Sequence, residues 1–121
     1  MNNPLLDKAL NFAARIVKLH QYLQKEKKEN IISRQILRSG TSIGANANEA
    51  AYGISTADFI AKLQIALKET AETEYWLRLL ILTDYIEENL GESILTDCLE
   101  IKKILISSLN TAKKKNVIGH N

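Results

Sequence analysis

Hydrophobic residues near the start of the chain recur at alternating steps of four and three. They stand at positions 5, 9, 12, 16, 19 and 23. This spacing puts them on one face of an amphipathic helix, as in the seam of a helix bundle. Asn3 is a suitable N-cap, and Pro4 fits the first helical position, where its missing N–H costs nothing. The pattern predicts a helix from Pro4 that ends within the charged run 25–30.

The second predicted helix is rich in small residues. We expect Ser33 to be its N-cap and Gly53 to follow its last turn. Its interior contains Gly40 and Gly44, and each interior glycine costs about 1 kcal/mol relative to alanine. A helix tolerates that cost where another backbone packs very close to it. A continuous helix is therefore favoured over a break near residues 40–44.

A third helix is predicted after a cap at Ser55 or Thr56 and extends to about Tyr85. Its segment 75–82 is apolar on nearly every side, so it should be buried on more than one face. Either a subunit interface or a central position in the core would provide that burial.

Residues 89–91 predict a turn, and residues 92–114 predict a fourth helix with apolar positions 94, 98, 101, 105 and 109. No strand pattern occurs. Four helices with short connections predict an all-α, antiparallel up-down-up-down four-helix bundle. We expect residues 1–121 to form a single domain, with a tail that frays from about residue 115.

Composition narrows the class of protein. The 121 residues are 45% hydrophobic and 25% charged, the balance of one globular domain. The single cysteine, Cys98, excludes an internal disulfide and a Cys-rich zinc site, and its place in the fourth apolar stripe predicts an inert core thiol. Residues 1–4 do not begin a signal peptide, and the longest apolar run, 79–82, is too short to span a membrane. We expect a cytoplasmic protein.

The sequence offers no catalytic or metal-binding set. A di-iron bundle needs Glu-x-x-His motifs, but neither His20 nor His120 follows an acidic residue at that spacing. The carboxylates at 69, 72 and 74 fall on different helix faces and are expected to be solvated or paired. The glycines form neither a P-loop nor a dinucleotide fingerprint. We therefore expect a protein that is not an enzyme and uses no cofactor.

Charge is unevenly distributed along the chain. Residues 1–38 contain eight basic and three acidic side chains, residues 39–100 contain three and eleven, and residues 101–121 contain five and none. Most of these charges are expected to pair between the basic ends and the acidic middle, within one subunit or between subunits. The others could attract an anionic partner.

Nucleic acid is the natural anionic partner to consider. Basic residues with an interleaved tyrosine can contact phosphates, and no helix-turn-helix or other base-reading element is present, so recognition would rest on backbone and shape. The candidate nucleic-acid-binding residues are Lys8, Arg15, Lys18, Tyr22, Lys25, Arg34, Arg38, Lys113, Lys114 and Lys115.

Glu49 lies among small residues where helices should pack closely. An unpaired buried charge is costly, so this carboxylate needs a partner. Arg38 is three helical turns away on the same helix, which is too far for a pair. We expect Arg34, Arg38 and Glu49 to pair with other helices or a neighbouring subunit. Structural packing is the favoured role, with partner binding as the alternative.

Two segments, 38–50 and 58–77, carry a resemblance to a known family. They resemble the four-helix bundle proteins related to those encoded in intervening sequences of 23S ribosomal RNA genes. The accessory variability determinant of diversity-generating retroelements, which binds nucleic acid and its reverse transcriptase, is similar. The resemblance implies a bacterial cytoplasmic protein that assembles as a barrel-like homopentamer; most such proteins have no established activity.

The positions that match the family are interpreted as packing and assembly positions: Arg38, Ser42, Asn46, Glu49, Phe59, Leu63, Ala66 and Glu72, to which the apolar segment adds Tyr75 and Trp76. The leading hypothesis is a non-enzymatic oligomeric accessory protein that binds RNA or DNA through basic surfaces without base-specific readout. The alternative is an assembly or adaptor protein that binds another protein and has no nucleic-acid role. Neither hypothesis involves a membrane.

Overall fold

A computed structural model of the protein describes the backbone of residues 3–119 and the side chains of residues 3–115. Over these residues the chain forms α1 (Pro4–Glu26), α2 (Ile32–Ala51), α3 (Thr56–Leu82) and α4 (Glu88–Gly119), and it forms no strand. Each helix packs against the next, and α4 packs back against α1. The arrangement is an antiparallel four-helix bundle, which confirms the predicted fold class.

The first helix has the predicted N-terminus and buried face. Asn3 is the N-cap, and its Oδ1 accepts hydrogen bonds from the N–H groups of Leu5 at 3.1 Å and Leu6 at 3.3 Å. The six positions of the predicted seam are all buried. Spacing and a local cap were therefore sufficient to predict this helix.

The start of α2 differs from the prediction. Ser33 lies inside the helix, is buried, and its Oγ has no hydrogen-bond partner. The first turn is capped instead by the carboxylate of Glu29, which accepts from the N–H of Ile31 at 3.3 Å and from that of Ser33 at 2.8 Å. The longer glutamate side chain reaches across the turn and takes the role that was assigned to the serine.

The glycines of α2 lie in a continuous helix, as predicted. A Cβ atom on Gly40 would lie 2.9 Å from both Cγ atoms of Ile16 on α1. At Gly44 the nearest atom, the Cβ of Ala9, would be 3.5 Å away, which is an ordinary contact. The close contact at Gly40 is therefore with a side chain, whereas at Gly44 backbone atoms of Ala9 lie 3.6 Å from the Cβ position, near but without a clash.

The connection between α3 and α4 lies earlier than predicted. Helix α3 ends at Leu82 rather than near Tyr85, and α4 already begins at Glu88, so residues 89–91 are helical and do not form the turn. Glu87 caps α4 by accepting from the N–H groups of Asn89 and Leu90, each at 3.3 Å. As in α2, a glutamate side chain forms the cap, at a position without the short polar residues that usually predict one.

The far end of α4 continues beyond the predicted limit. Its backbone is helical through Gly119, whereas the sequence placed the end of the helix near Lys114. Fraying from about residue 115 stays a prediction, because the side chains beyond Lys115, and residues 120 and 121 altogether, lie outside the described residues.

The apolar segment of α3 is only partly covered within one chain. Leu77 and Leu80 are fully buried, and Trp76 is half-buried against the core. Tyr75, in contrast, is 60% exposed and Leu82 is 80% exposed. A central position in the core therefore accounts for one side of the segment and leaves the other side uncovered.

Candidate nucleic-acid interface

The ten candidate nucleic-acid-binding residues do not form one surface. Because successive helices alternate in direction, the α1–α2 and α3–α4 turns share one end of the bundle, which we call the α1–α2 end. Lys18, Tyr22, Lys25 and Arg34 lie towards this end. Lys113, Lys114 and Lys115 lie near the end of α4, at the opposite end of the bundle.

Two candidates on α1 are engaged in ion pairs with α4. The Nζ of Lys8 lies 3.2 Å from Oε2 of Glu100, and Nη1 of Arg15 lies 2.7 Å from Oδ2 of Asp97. These are the predicted pairs between the basic start of the chain and its acidic middle. Exposed pairs of this kind contribute little to stability, about 0–1 kcal/mol each, but they partly neutralise the cations.

Arg38 is also paired, and its partners lie on α3. Its guanidinium donates to Glu69 at 3.4 Å and to Glu72. Glu72 also accepts a hydrogen bond from Nε1 of Trp76 at 3.1 Å, and the indole meets the ring of Tyr75 edge-to-face at a centroid distance of 5.1 Å. The matched positions of α2 and α3 thus form a polar cluster that joins the two helices.

Glu49 has the expected partner within the same chain. Its carboxylate lies 3.2 Å from Nζ of Lys62 on α3. The Glu49 side chain is 58% exposed, so it is not a buried charge. Of the small residues around it, Ala47 and Ala50 are buried in the core, whereas Ala45 and Ala51 are exposed.

The other packing candidates occupy three kinds of position. Ser42 donates its hydroxyl to the carbonyl of Arg38 at 2.6 Å, and Asn46 donates to the carbonyl of Ser42 at 2.8 Å, so both bond within α2. Leu63 and Ala66 lie on the buried face of α3, in the hydrophobic core of the bundle. Phe59 is half-buried against that core.

Six of the nine candidate cations have no ion pair among the described residues, three at the α1–α2 end and Lys113, Lys114 and Lys115 at the opposite end. Lys18, Lys25 and Arg34 are exposed, and none lies within 4 Å of a described carboxylate. Lys27 and Lys28, which were not among the candidates, lie in the α1–α2 turn and are also exposed. The acidic residues of this end are Glu26 and Glu29, beside these cations, and Asp84, Glu87 and Glu88 at the other turn.

A cleft of about 350 Å³ opens beside these cations, between α1 and the start of α4. Its walls are mostly apolar, and its rim contains Arg15, Lys18 and Tyr22 together with Leu90 and Ile94 from α4. Arg15, Lys18 and Tyr22 were candidates from the sequence, whereas Leu90 and Ile94 were not. The side chains of Leu90 and Ile94 join the cleft only through tertiary packing.

Comparison with known proteins places the chain in a family. A sequence model of the family described as 23S rRNA-intervening sequence protein matches residues 1–107. The chain belongs to this family. None of the curated proteins matches it.

A solved structure from Bacteroides thetaiotaomicron VPI-5482 is similar to this member of the 23S rRNA-intervening sequence protein family. It is described as a protein with unknown function from the S23 ribosomal protein family. The two sequences are 59% identical, the TM-score is 0.86, and the match covers 87% of this chain and 97% of the other. The likeness includes nearly the whole bundle and assigns no activity.

No arrangement suited to metal or thiol chemistry occurs among the described residues of this family member. They contain no group of three or more potential metal ligands; His120 lies outside them. Cys98 is fully buried, and burial raises the pKa of its thiol to about 12. A thiol that stays protonated is a poor nucleophile and ligand. None of the helices in this part of the chain is both long and apolar enough to cross a membrane.

Glu74 should make the stability of this family member depend on pH. Its carboxylate accepts hydrogen bonds from Nζ of Lys102 at 2.9 Å and Nε of Arg78 at 3.1 Å. The bond from Lys102 is the largest cause that holds its pKa below the ordinary value, with burial opposing it. Its stabilising contribution is therefore complete above the pKa of the unfolded chain and is lost as the pH falls through the folded pKa.

We expect the Glu74→Gln variant to lose part of this acid dependence. Urea unfolding measured between about pH 7 and pH 3 should show a smaller decrease in the free energy of unfolding than in the unmodified protein. Glu92→Gln, at an exposed position of α4, is the matched control. An identical acid dependence in Glu74→Gln and the unmodified protein would contradict the assignment.

Proposed function

We propose that the protein is a non-enzymatic, oligomeric accessory protein of the cytoplasm that binds nucleic acid without base-specific readout. One observation carries the proposal. Lys18, Lys25 and Arg34 are exposed, have no ion pair among the described residues, and lie at the same end of the bundle as the cleft that Tyr22 borders. The family description, which refers to 23S rRNA, supports RNA as the first ligand to test.

The chemistry of this end suits a phosphate backbone with unstacked bases. Lysine and arginine contact phosphates and release counterions. A tyrosine at the rim of an apolar cleft can stack on one base that leaves a loop or bulge, as single-stranded RNA allows. The sequence contains no helix-turn-helix or other base-reading element, so contacts would follow shape rather than sequence. An oligomer would repeat these contacts and increase affinity through avidity.

The direct test is fluorescence anisotropy with labelled structured RNA and labelled duplex DNA. If three cations contact phosphates, a fourfold increase in salt should lower the affinity about 20- to 40-fold. Preference for the RNA would agree with stacking of an unpaired base on Tyr22. Absence of binding at low salt, or affinity that does not change with salt, would contradict the proposal.

The alternative, an assembly or adaptor protein that binds another protein and no nucleic acid, is supported by a different surface. Tyr75 and Leu82 on α3 are large, apolar and mostly exposed, and exposed apolar patches mark protein interaction sites. The same surface supports self-assembly, which the family resemblance suggests is pentameric. Both uses would remove these side chains from water.

Self-assembly through α3 gives a measurable expectation. At micromolar concentration, light scattering coupled to size exclusion should give a mass several times that of the 13.6 kDa chain. The Tyr75→Glu/Leu82→Glu variant should shift to the monomer, because two carboxylates would have to be desolvated in the interface. Leu10→Glu, at an exposed apolar position of α1, is the control. A monomeric unmodified protein would rule out assembly.

A further inference from the structure

A second and larger cavity lies at the other end of the bundle. It has a volume of about 580 Å³ and opens between the α2–α3 turn, the first turn of α3 and the last described turns of α4. This volume falls within the range of small-molecule sites, about 300–1,000 Å³. The family match ends at residue 107, so most of the α4 wall is formed by residues beyond it.

The α4 wall presents three unused hydroxyl groups. Ser107, Ser108 and Thr111 line the cavity, and no hydrogen bond within the described residues engages their side chains. Six hydroxyls elsewhere in the bundle, in contrast, each donate to the carbonyl four residues earlier. That set is Thr41, Ser42, Thr70, Thr73, Thr83 and Thr96. The hydroxyls of the cavity are therefore available to a ligand as donors and acceptors.

Charge and apolar surface complete the chemistry of the cavity. Lys115 is the one charged residue among the described residues that line it, and no carboxylate is in the wall. Phe59 contributes a half-buried ring, and Ile54, 97% exposed, forms part of the rim. The walls thus suit an anion that also has several hydrogen-bonding groups and a flat apolar part.

We propose that this cavity binds a nucleoside phosphate. The base packs against Phe59, the polar edges of the base and sugar meet the hydroxyls of Ser107, Ser108 and Thr111, and the phosphate pairs with Lys115. Two sources supply the same chemistry: a free nucleotide, or the phosphorylated end of a nucleic-acid strand. The site is separate from the proposed interface at the α1–α2 end and does not depend on it.

Isothermal titration of the full chain with the four ribonucleoside monophosphates, their nucleosides and inorganic phosphate tests this proposal. At least one monophosphate should bind at least about tenfold more tightly than its nucleoside, since a charge-assisted hydrogen bond to Lys115 is lost in the nucleoside. It should also bind more tightly than inorganic phosphate, because the base adds contacts. No binding of any monophosphate at millimolar concentration, or binding no tighter than that of inorganic phosphate, would overturn the proposal.

Variants of the wall localise the ligand. Lys115→Gln should lower the affinity about tenfold, and Thr111→Val several-fold, through the loss of one hydrogen bond each. Lys103→Gln, at an exposed position of the same helix, is the matched control and should leave the affinity unchanged. Both wall residues are exposed, so circular dichroism should show an intact fold. Unchanged affinity in a folded Lys115→Gln variant would overturn the proposal.

Short oligonucleotides separate the two sources. If the natural ligand is a strand end, a 5′-phosphorylated tetranucleotide should bind more tightly than the mononucleotide and more tightly than the same tetranucleotide with a 5′-hydroxyl group. If the natural ligand is a free nucleotide, the mononucleotide should bind more tightly than the tetranucleotide. Either result requires loss of affinity in Lys115→Gln. Lys18→Glu/Lys25→Glu should leave mononucleotide binding unchanged, so failure of this site and failure of the proposed interface are distinguishable.

Discussion

Replacing Gly40 with alanine should destabilise the protein, whereas the same change at Gly44 should stabilise it. The new Cβ at position 40 would lie 2.9 Å from both Cγ atoms of Ile16. That isoleucine is fully buried and β-branched, so it has few other rotamers available. Overpacking of a core costs about 1–3 kcal/mol, which exceeds the gain of about 1 kcal/mol from better helix propensity.

At Gly44 the balance has the opposite sign. The nearest atom to a new Cβ is 3.5 Å away, so the propensity gain of up to about 1 kcal/mol is not opposed by a clash. Urea unfolding at one fixed protein concentration measures both effects, since assembly would make stability depend on concentration. Equal changes at the two positions would show that the contact with Ile16 does not determine the result.

A double-mutant cycle isolates that contact. Ile16→Ala removes both Cγ atoms, and the Cβ that remains lies 3.3 Å from the new methyl group, a contact that a small shift relieves. Gly40→Ala should therefore be destabilising with isoleucine at position 16 and close to neutral or stabilising with alanine there. The expected coupling free energy is about 1–3 kcal/mol, the range for residues in direct contact. Additive effects would contradict the packing argument.

The helix starts show which structural signals are local in the sequence. Asn3 and Ser55 cap α1 and α3 with short side chains directly before the helix, and both were recognised. Glu29 and Glu87 cap α2 and α4 with longer side chains. Since glutamate is also common on solvated helix surfaces, the presence of a glutamate does not by itself predict a cap. The starts of α2 and α4, which the sequence placed wrongly, are the two that glutamate caps.

The candidate interface depends on contacts that are distant in the sequence. Eight basic residues in the first 38 positions look equivalent in the sequence. The fold separates them, because Lys8 pairs with Glu100 and Arg15 pairs with Asp97, partners more than 80 positions away. Periodicity predicted which face of α1 is buried, but only tertiary packing determines which cations on its other faces stay available.

This separation also decides which variant tests nucleic-acid binding most cleanly. Arg15→Glu would place a second carboxylate beside Asp97, so any loss of binding could reflect repulsion within the bundle. Lys18 and Lys25 are exposed and have no ion pair among the described residues. Charge reversal at these two positions changes the surface field without breaking a contact observed in the fold.

We expect Lys18→Glu/Lys25→Glu to lower affinity for structured RNA about 100-fold at low salt, because two phosphate contacts become two repulsions. The slope of log affinity against log salt should decrease by about one for each lysine lost. Lys68→Glu/Lys103→Glu makes the same change in net charge at exposed positions of α3 and α4 and is the matched control. If both double variants lose affinity equally, net charge explains the binding and the α1–α2 end is not the interface. If only the first loses it while remaining helical by circular dichroism, phosphate contacts are assigned to that end.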